Sequence, residues 1–112
     1  MAIIIKTLGG GTISAVGSAD LYTVGASKSA LVHNVRLVNG TTASTSAMNL
    51  YVKPSGGTAR RIAKQDFTIL ANGLFVMPDP VTMGTGDKIQ INISTGASPS
   101  LGYMVNGVER DT

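Results

Sequence analysis

The most regular pattern in the chain is the run in which Ile89, Ile91 and Ile93 alternate with Lys88, Gln90, Asn92 and Ser94. Strict period two puts one set on each side of an extended backbone, so the run predicts a half-buried strand at the heart of the core. Met48, Leu50 and Val52 alternate in the same way with Asn49, Tyr51 and Lys53, and the pattern stops at Pro54-Ser55-Gly56-Gly57, a dense cluster of turn residues. Ala30 to Asn39 is the longest β-like segment, yet both of its phases are partly apolar: Leu31, His33, Val35 and Leu37 on one, Val32, Asn34, Arg36 and Val38 on the other. A bulge in such a strand would switch the inward set along its length.

Shorter strands are predicted at Leu21 to Val24, Arg60 to Lys64, Phe67 to Leu70, Leu74 to Met77 and Val81 to Met83, with Gly25-Ala26-Ser27 and Ala71-Asn72-Gly73 as turns. Pro78-Asp79-Pro80 lacks two backbone donors and marks a corner. Gly40 to Ser46 and Thr95 to Ser100 read as polar loops. The last strand, Leu101 to Glu109, carries Leu101, Tyr103 and Val105 on one face and Met104 and Val108 on the other. Eight or nine strands at intervals of about 8–12 residues, punctuated by Gly, Pro, Asn and Ser, predict an antiparallel β-sandwich or small barrel.

The start is different. Ala2 to Leu8 reads as a first strand closed by Gly9-Gly10-Gly11, but Ile3, Ile4 and Ile5 do not alternate. Such a run suits a strand covered on both faces, or an arm that is covered only when a neighbouring subunit docks. Residues 1–11 are therefore either an N-terminal strand or an arm with a glycine hinge, and the residues leave both open.

Composition agrees with an all-β fold. Gly, Thr and Ser supply 36 of the 112 residues and Val, Ile and Thr supply 31, against one Glu and two Gln. The unbranched polar side chains that build surface helices are nearly missing. At 43% hydrophobic and 13% charged the chain is too apolar for disorder, and its length suits one domain spanning residues 1–112. With no cysteine there is neither a disulfide framework nor a thiolate zinc site. The apolar run before Lys6 is too short for an export signal or a membrane span, so no membrane partner is expected.

Candidate chemistry is sparse. His33 is the one imidazole and has no carboxylate near it in sequence. The six carboxylates, Asp20, Asp66, Asp79, Asp87, Glu109 and Asp111, mostly adjoin Gly, Pro or strand ends, where Asp hydrogen-bonds turn amides. A hydrolytic pair drawn from Asp79 and Asp87 is the nearest approach to a catalytic constellation. Gly9-Gly10-Gly11-Thr12 lacks the spacing and Lys of a phosphate loop, and Gly84-Thr85-Gly86 lacks the third glycine and the helix of a dinucleotide site. No cofactor, no metal and no enzymatic activity are expected. The net charge of +3 is a mild excess. Its densest part, Lys53, Arg60, Arg61 and Lys64, is either a solvated β-edge or a contact for an acidic protein surface. Nucleic acid fits less well, since Phe67 alone of the five aromatics lies near the cluster in sequence.

Leu21-Tyr22-Thr23-Val24, Val35-Arg36-Leu37-Val38-Asn39, Leu50-Tyr51-Val52-Lys53, Gly57 to Ile62, Gly86-Asp87-Lys88-Ile89 and Val105 to Asp111 resemble small virion proteins of tailed bacteriophages. The resemblance spans about four-fifths of the chain, and Met1 to Gly11 lies outside it. It implies a compact β-sandwich, often jelly-roll-like, with a structural role: a capsid decoration or cement protein, made in the host cytoplasm, that clamps neighbouring major capsid subunits. A homotrimer is the expected assembly, a homodimer the second choice. Ile3, Ile4 and Ile5 would then add a strand to a neighbour, and Lys53, Arg60, Arg61 and Lys64 would face an acidic virion protein. Two other classes compete: a tail or fibre component binding host-surface carbohydrate, and a small jelly-roll hydrolase or lyase. Five aromatics leave few for sugar stacking, and one His is few for a metal site.

Overall fold

The computed structural model describes residues 3–14, 16–40, 45–77, 79–93 and 100–111, with the backbone alone for residues 3–6 and 45–47. Among the described residues ten strands follow one another: β1 (Ile3–Ile13), β2 (Gly17–Thr23), β3 (Lys28–Asn39), β4 (Thr45–Lys53), β5 (Arg60–Arg61), β6 (Phe67–Ile69), β7 (Leu74–Met77), β8 (Val81–Met83), β9 (Lys88–Ile93) and β10 (Leu101–Asp111). One sheet has the order β1-β10-β3-β7, with β8 also on β3; the other has β2-β9-β4-β5, with β6 also on β4. Every pairing is antiparallel. The first strand pairs with the last and the second with the ninth, a nested order that defines a jelly roll. The all-β sandwich expected from the sequence is the fold the chain adopts. Among the described residues no helix is long and apolar enough to cross a membrane.

The core is built by the alternation that the sequence displays. Ile89, Ile91 and Ile93 from β9, Met48 and Leu50 from β4, Val32, Val35 and Leu37 from β3, and Leu101 and Val105 from β10 are all at most 1% exposed. Burying side chains of this size stabilises by about 1.5–3 kcal/mol each, so these strands carry most of the driving force. At the β6–β7 turn, Asn72 adopts φ 56° and the Gly73 amide donates to the Leu70 carbonyl, as the Asn-Gly pair predicts.

The two-phase pattern of β3 resolves into a bulge. Asn106 pairs with Asn34 and Gly107 with Val32, which leaves His33 as the extra residue, exposed to solvent. Ala30 and Val32 point inward before it; Val35, Leu37 and Asn39 point inward after it. The bulge draws β10 so close that a Cβ on Gly107 would collide with the Leu31 carbonyl oxygen and the Val32 backbone.

Several boundaries differ from expectation. β2 begins at Gly17 rather than Leu21, because Ser18, Ala19 and Asp20 pair with β9 as a solvated edge that needs no apolar residues. The strand expected over Arg60 to Lys64 is confined to Arg60 and Arg61. At the start, the glycines do not close a strand or form a hinge: β1 runs through Gly9, Gly10 and Gly11 to Ile13, with a register shift between Thr7 and Gly9. Their small size serves close approach. A Cβ on Gly9 would sit 2.6 Å from the Leu21 carbonyl oxygen of β2, and one on Gly11 would sit 3.1 Å from the Tyr103 hydroxyl. Of the loops expected at Gly40 to Ser46 and Thr95 to Ser100, residues 41–44 and 95–99 lie outside the described residues, and β4 already begins at Thr45.

Candidate functional site

Five of the six carboxylates are occupied by the fold. Asp87 accepts from the Ser55 and Gly84 amides, both at 2.9 Å, and so pins the β4–β5 and β8–β9 turns together. Asp66, held at φ 52°, accepts from the Asn49 side-chain amide at 2.8 Å. Asp111 pairs with Lys28 at 2.8 Å. Glu109 is buried and accepts from the Tyr22 hydroxyl. Asp20 accepts from Gln90 at 2.8 Å and from Lys88 at 3.2 Å, and these donors hold its carboxyl below the ordinary value. Asp79 lies exposed on the β7–β8 connection, whereas Asp87 is engaged in the β8–β9 turn. His33 sits on its bulge in solvent. Among the described residues no three His, Cys, Asp or Glu gather as a metal set.

The basic cluster forms on the side of β4 that carries the short strands β5 and β6. Arg60 pairs with Val52 and Arg61 with Tyr51, while Lys53 ends β4 and Lys64 follows in the loop. Arg60 and Lys64 are exposed. Arg61 is tied into the fold: its Nε donates to Asn49 Oδ1 at 3.1 Å and its guanidinium lies 5.9 Å from the centre of the Tyr51 ring. The same Asn49 oxygen takes the Asp66 amide at 3.0 Å. Asn49, 5% exposed, is thus the brace on which Arg61 and Asp66 both rest.

The two candidate sets are not brought together. Ile3, Ile4 and Ile5 lie opposite Arg110, Glu109 and Val108 on β1, the outermost strand of its sheet. That side of the sandwich closes where Gly9 of β1 meets Leu21 of β2. The other side closes where Phe67 of β6 stacks on Phe75 of β7, ring centres 4.3 Å apart, and where Asn39 of β3 donates to the Ile69 and Leu70 carbonyls. The isoleucine run and the basic cluster therefore occupy opposite lateral edges. The edges also differ in length: β1 has 11 residues, whereas β5, β6, β7 and β8 have 2, 3, 4 and 3. Short edge strands discourage pairing with other chains; a long one invites it.

The broad faces contrast as well. The β2-β9-β4 sheet turns polar pairs outward, among them Asn92 with Ser18 at 2.9 Å and Gln90 with Asp20. The β1-β10-β3-β7 sheet turns Val38, Leu74, Val76 and Met104 outward, all at least 40% exposed. Sequence reasoning did not single out these four. The only signal was that β3 and β10 are apolar in both phases, which shows that one apolar set must face away from the core without saying which.

No protein family matches the chain, and no curated protein does. Among solved structures, infectious bursal disease virus strain Gx aligns over 96% of this chain and 35% of that one, at 16% identity and a TM-score of 0.46. Strain Gt of the same virus aligns over 96% and 32%, at 16% identity and a TM-score of 0.43. The VP2 subviral particle of infectious bursal disease virus aligns over 96% and 29%, at 18% identity and a TM-score of 0.29. The chain spans about a third of the length of these structures, and likeness of this degree carries no functional argument.

Proposed function

We propose that this protein is a non-enzymatic structural component of a virion, of the decoration or cement type, that holds neighbouring major capsid subunits together at the capsid surface. The observation that carries the reading is the separation of its two candidate contact sites onto opposite edges of one rigid sandwich. A clamp needs two such surfaces, because a single patch binds one neighbour and bridges nothing. The long outer edge of β1 suits strand addition, and the basic side of β4 suits an acidic surface. Carboxylates committed to turns and sheet pairs fit a scaffold rather than a reacting centre. Jelly rolls host capsid proteins, lectins and enzymes alike, so the fold supplies only the frame for this role. Assembly as a trimer would multiply weak contacts through effective concentration.

Light scattering of the purified chain, followed by co-sedimentation with expanded capsids of its source, tests the proposal. A trimer that saturates capsids at a symmetry-related ratio is expected. Deleting residues 1–8 should weaken sedimentation, and Arg60→Ala with Lys64→Ala should weaken it in a salt-dependent way while leaving the Arg61 brace intact. A monomer that ignores capsids would transfer the reading to a tail or fibre component, with glycan binding as its assay.

A further inference from the structure

The outward face of the β1-β10-β3-β7 sheet is neither of the two lateral edges, and register builds a small array on it. Met104, Arg36 and Val76 lie side by side on β10, β3 and β7; Gly102, Val38 and Leu74 form the next row. Four of these six positions carry exposed apolar side chains, a grouping that soluble surfaces seldom leave without a partner. At Gly102 the array has a hole. A depression of about 350 Å³ opens there, walled by Arg36, Val38 and Met104, and a Cβ placed on Gly102 would meet nothing within 4 Å. Arg36 is exposed between two apolar neighbours and has no carboxylate partner among the described residues.

We propose that this face binds a segment of another protein that seats one large apolar side chain over Gly102 and brings an adjacent carboxylate to Arg36. The charge decides the occupant. A second copy docked by a two-fold axis through the array would set Arg36 against Arg36, and the array offers no acidic residue to answer it. A partner carboxylate resolves that mismatch with a charge-assisted hydrogen bond in partly apolar surroundings, where such bonds are strongest. A depression walled on several sides favours a projecting protein side chain over a flat lipid surface. The site goes beyond the clamp described above and stands or falls separately from it.

The test is an amide-resolved NMR titration of the full chain with two short synthetic peptides, each presenting one leucine, flanked in one by aspartates and in the other by lysines. The aspartate peptide should shift Val38, Gly102 and Met104 saturably; the lysine peptide should not. Arg36→Ala should weaken binding about ten-fold or more, as expected for loss of one charge-assisted bond. Gly102→Leu should obstruct the floor of the depression and abolish binding while keeping the urea midpoint, and Met104→Glu should repel the aspartate peptide even if Gly102→Leu folds poorly. Equal response to both peptides, no saturable shift, shifts centred on Arg60 and Lys64, or unchanged binding by Gly102→Leu would overturn the proposal. So would saturation only on phosphatidylglycerol vesicles, or self-association of the unmodified chain through the same amides, which would assign the face to a lipid surface or to a second copy.

Discussion

Tyr22 on β2 donates its hydroxyl to Glu109 Oε1 on β10 across 2.6 Å, a buried hydrogen bond that links one sheet to the other. Burial and the neighbouring carboxylate both oppose ionisation of the phenol and push its pKa well above the ordinary value of 10.0. A raised pKa means that the folded state keeps the proton longer than the unfolded chain does. The contribution is therefore complete below about pH 10 and declines as pH rises further. Tyr22→Phe should cost about 1–3 kcal/mol in urea unfolding near neutral pH, because a donor to a buried carboxylate is lost. The gap to the unmodified protein should narrow above about pH 10, where only the latter has this tyrosine to ionise.

Asp20 gives the opposite slope. Gln90 and Lys88 depress its pKa, so its contribution is present above the ordinary carboxylate range and is lost as pH falls through the folded-state value. Thermal melting should place Asp20→Asn slightly below the unmodified protein at neutral pH and level with it in strong acid. A difference that persists in strong acid would locate the effect elsewhere than in the charge.

Asn49 holds Arg61 and the Asp66 amide on one oxygen and Asp66 Oδ1 on its nitrogen. Asn49→Ala removes all three bonds from a buried position and should destabilise by about 1–3 kcal/mol, measured by urea unfolding. Amide exchange at Asp66 should accelerate in the same variant, since that amide loses its acceptor.

Two glycines of β10 should answer oppositely to alanine. At Gly107 the new methyl meets the Leu31 carbonyl oxygen and the Val32 backbone, which cannot yield as a flexible side chain would; the cost should be about 1–3 kcal/mol or more. At Gly102 it meets open space, and replacing a glycine inside a strand should leave stability unchanged or slightly raised. Equal unfolding midpoints for Gly107→Ala and Gly102→Ala would contradict the bulge geometry.

The strands whose alternation is clean, β4 and β9, could be read directly, because one face of each is polar enough to name the other as core. The bulge in β3 was legible too, as a conflict between its two apolar phases. What stayed hidden depends on partners distant in the chain. Gly9 looks like a hinge until Leu21 is placed against it, and Arg61 looks like a free charge until β4–β5 register brings Asn49 beneath it. Met104 and Val38 look like core residues, since periodicity separates two faces of a strand but does not say which one meets the other sheet. The same blindness applies to Tyr22 and Glu109, whose pairing is a property of how the sheets stack.

The pairing of Ile3 with Arg110 has a kinetic consequence. β1 is made well before its ladder partner β10, so during synthesis an apolar stretch must wait until the strands between them have emerged. Nested pairings of this kind require large loops to close before the hydrogen bonds of the ladder reward them, which places folding in the slow, millisecond-to-second range of β-topologies. Until β10 arrives, the isoleucine run is the segment most exposed to aggregation, and chaperone capture of nascent chains should peak before residue 110 leaves the ribosome.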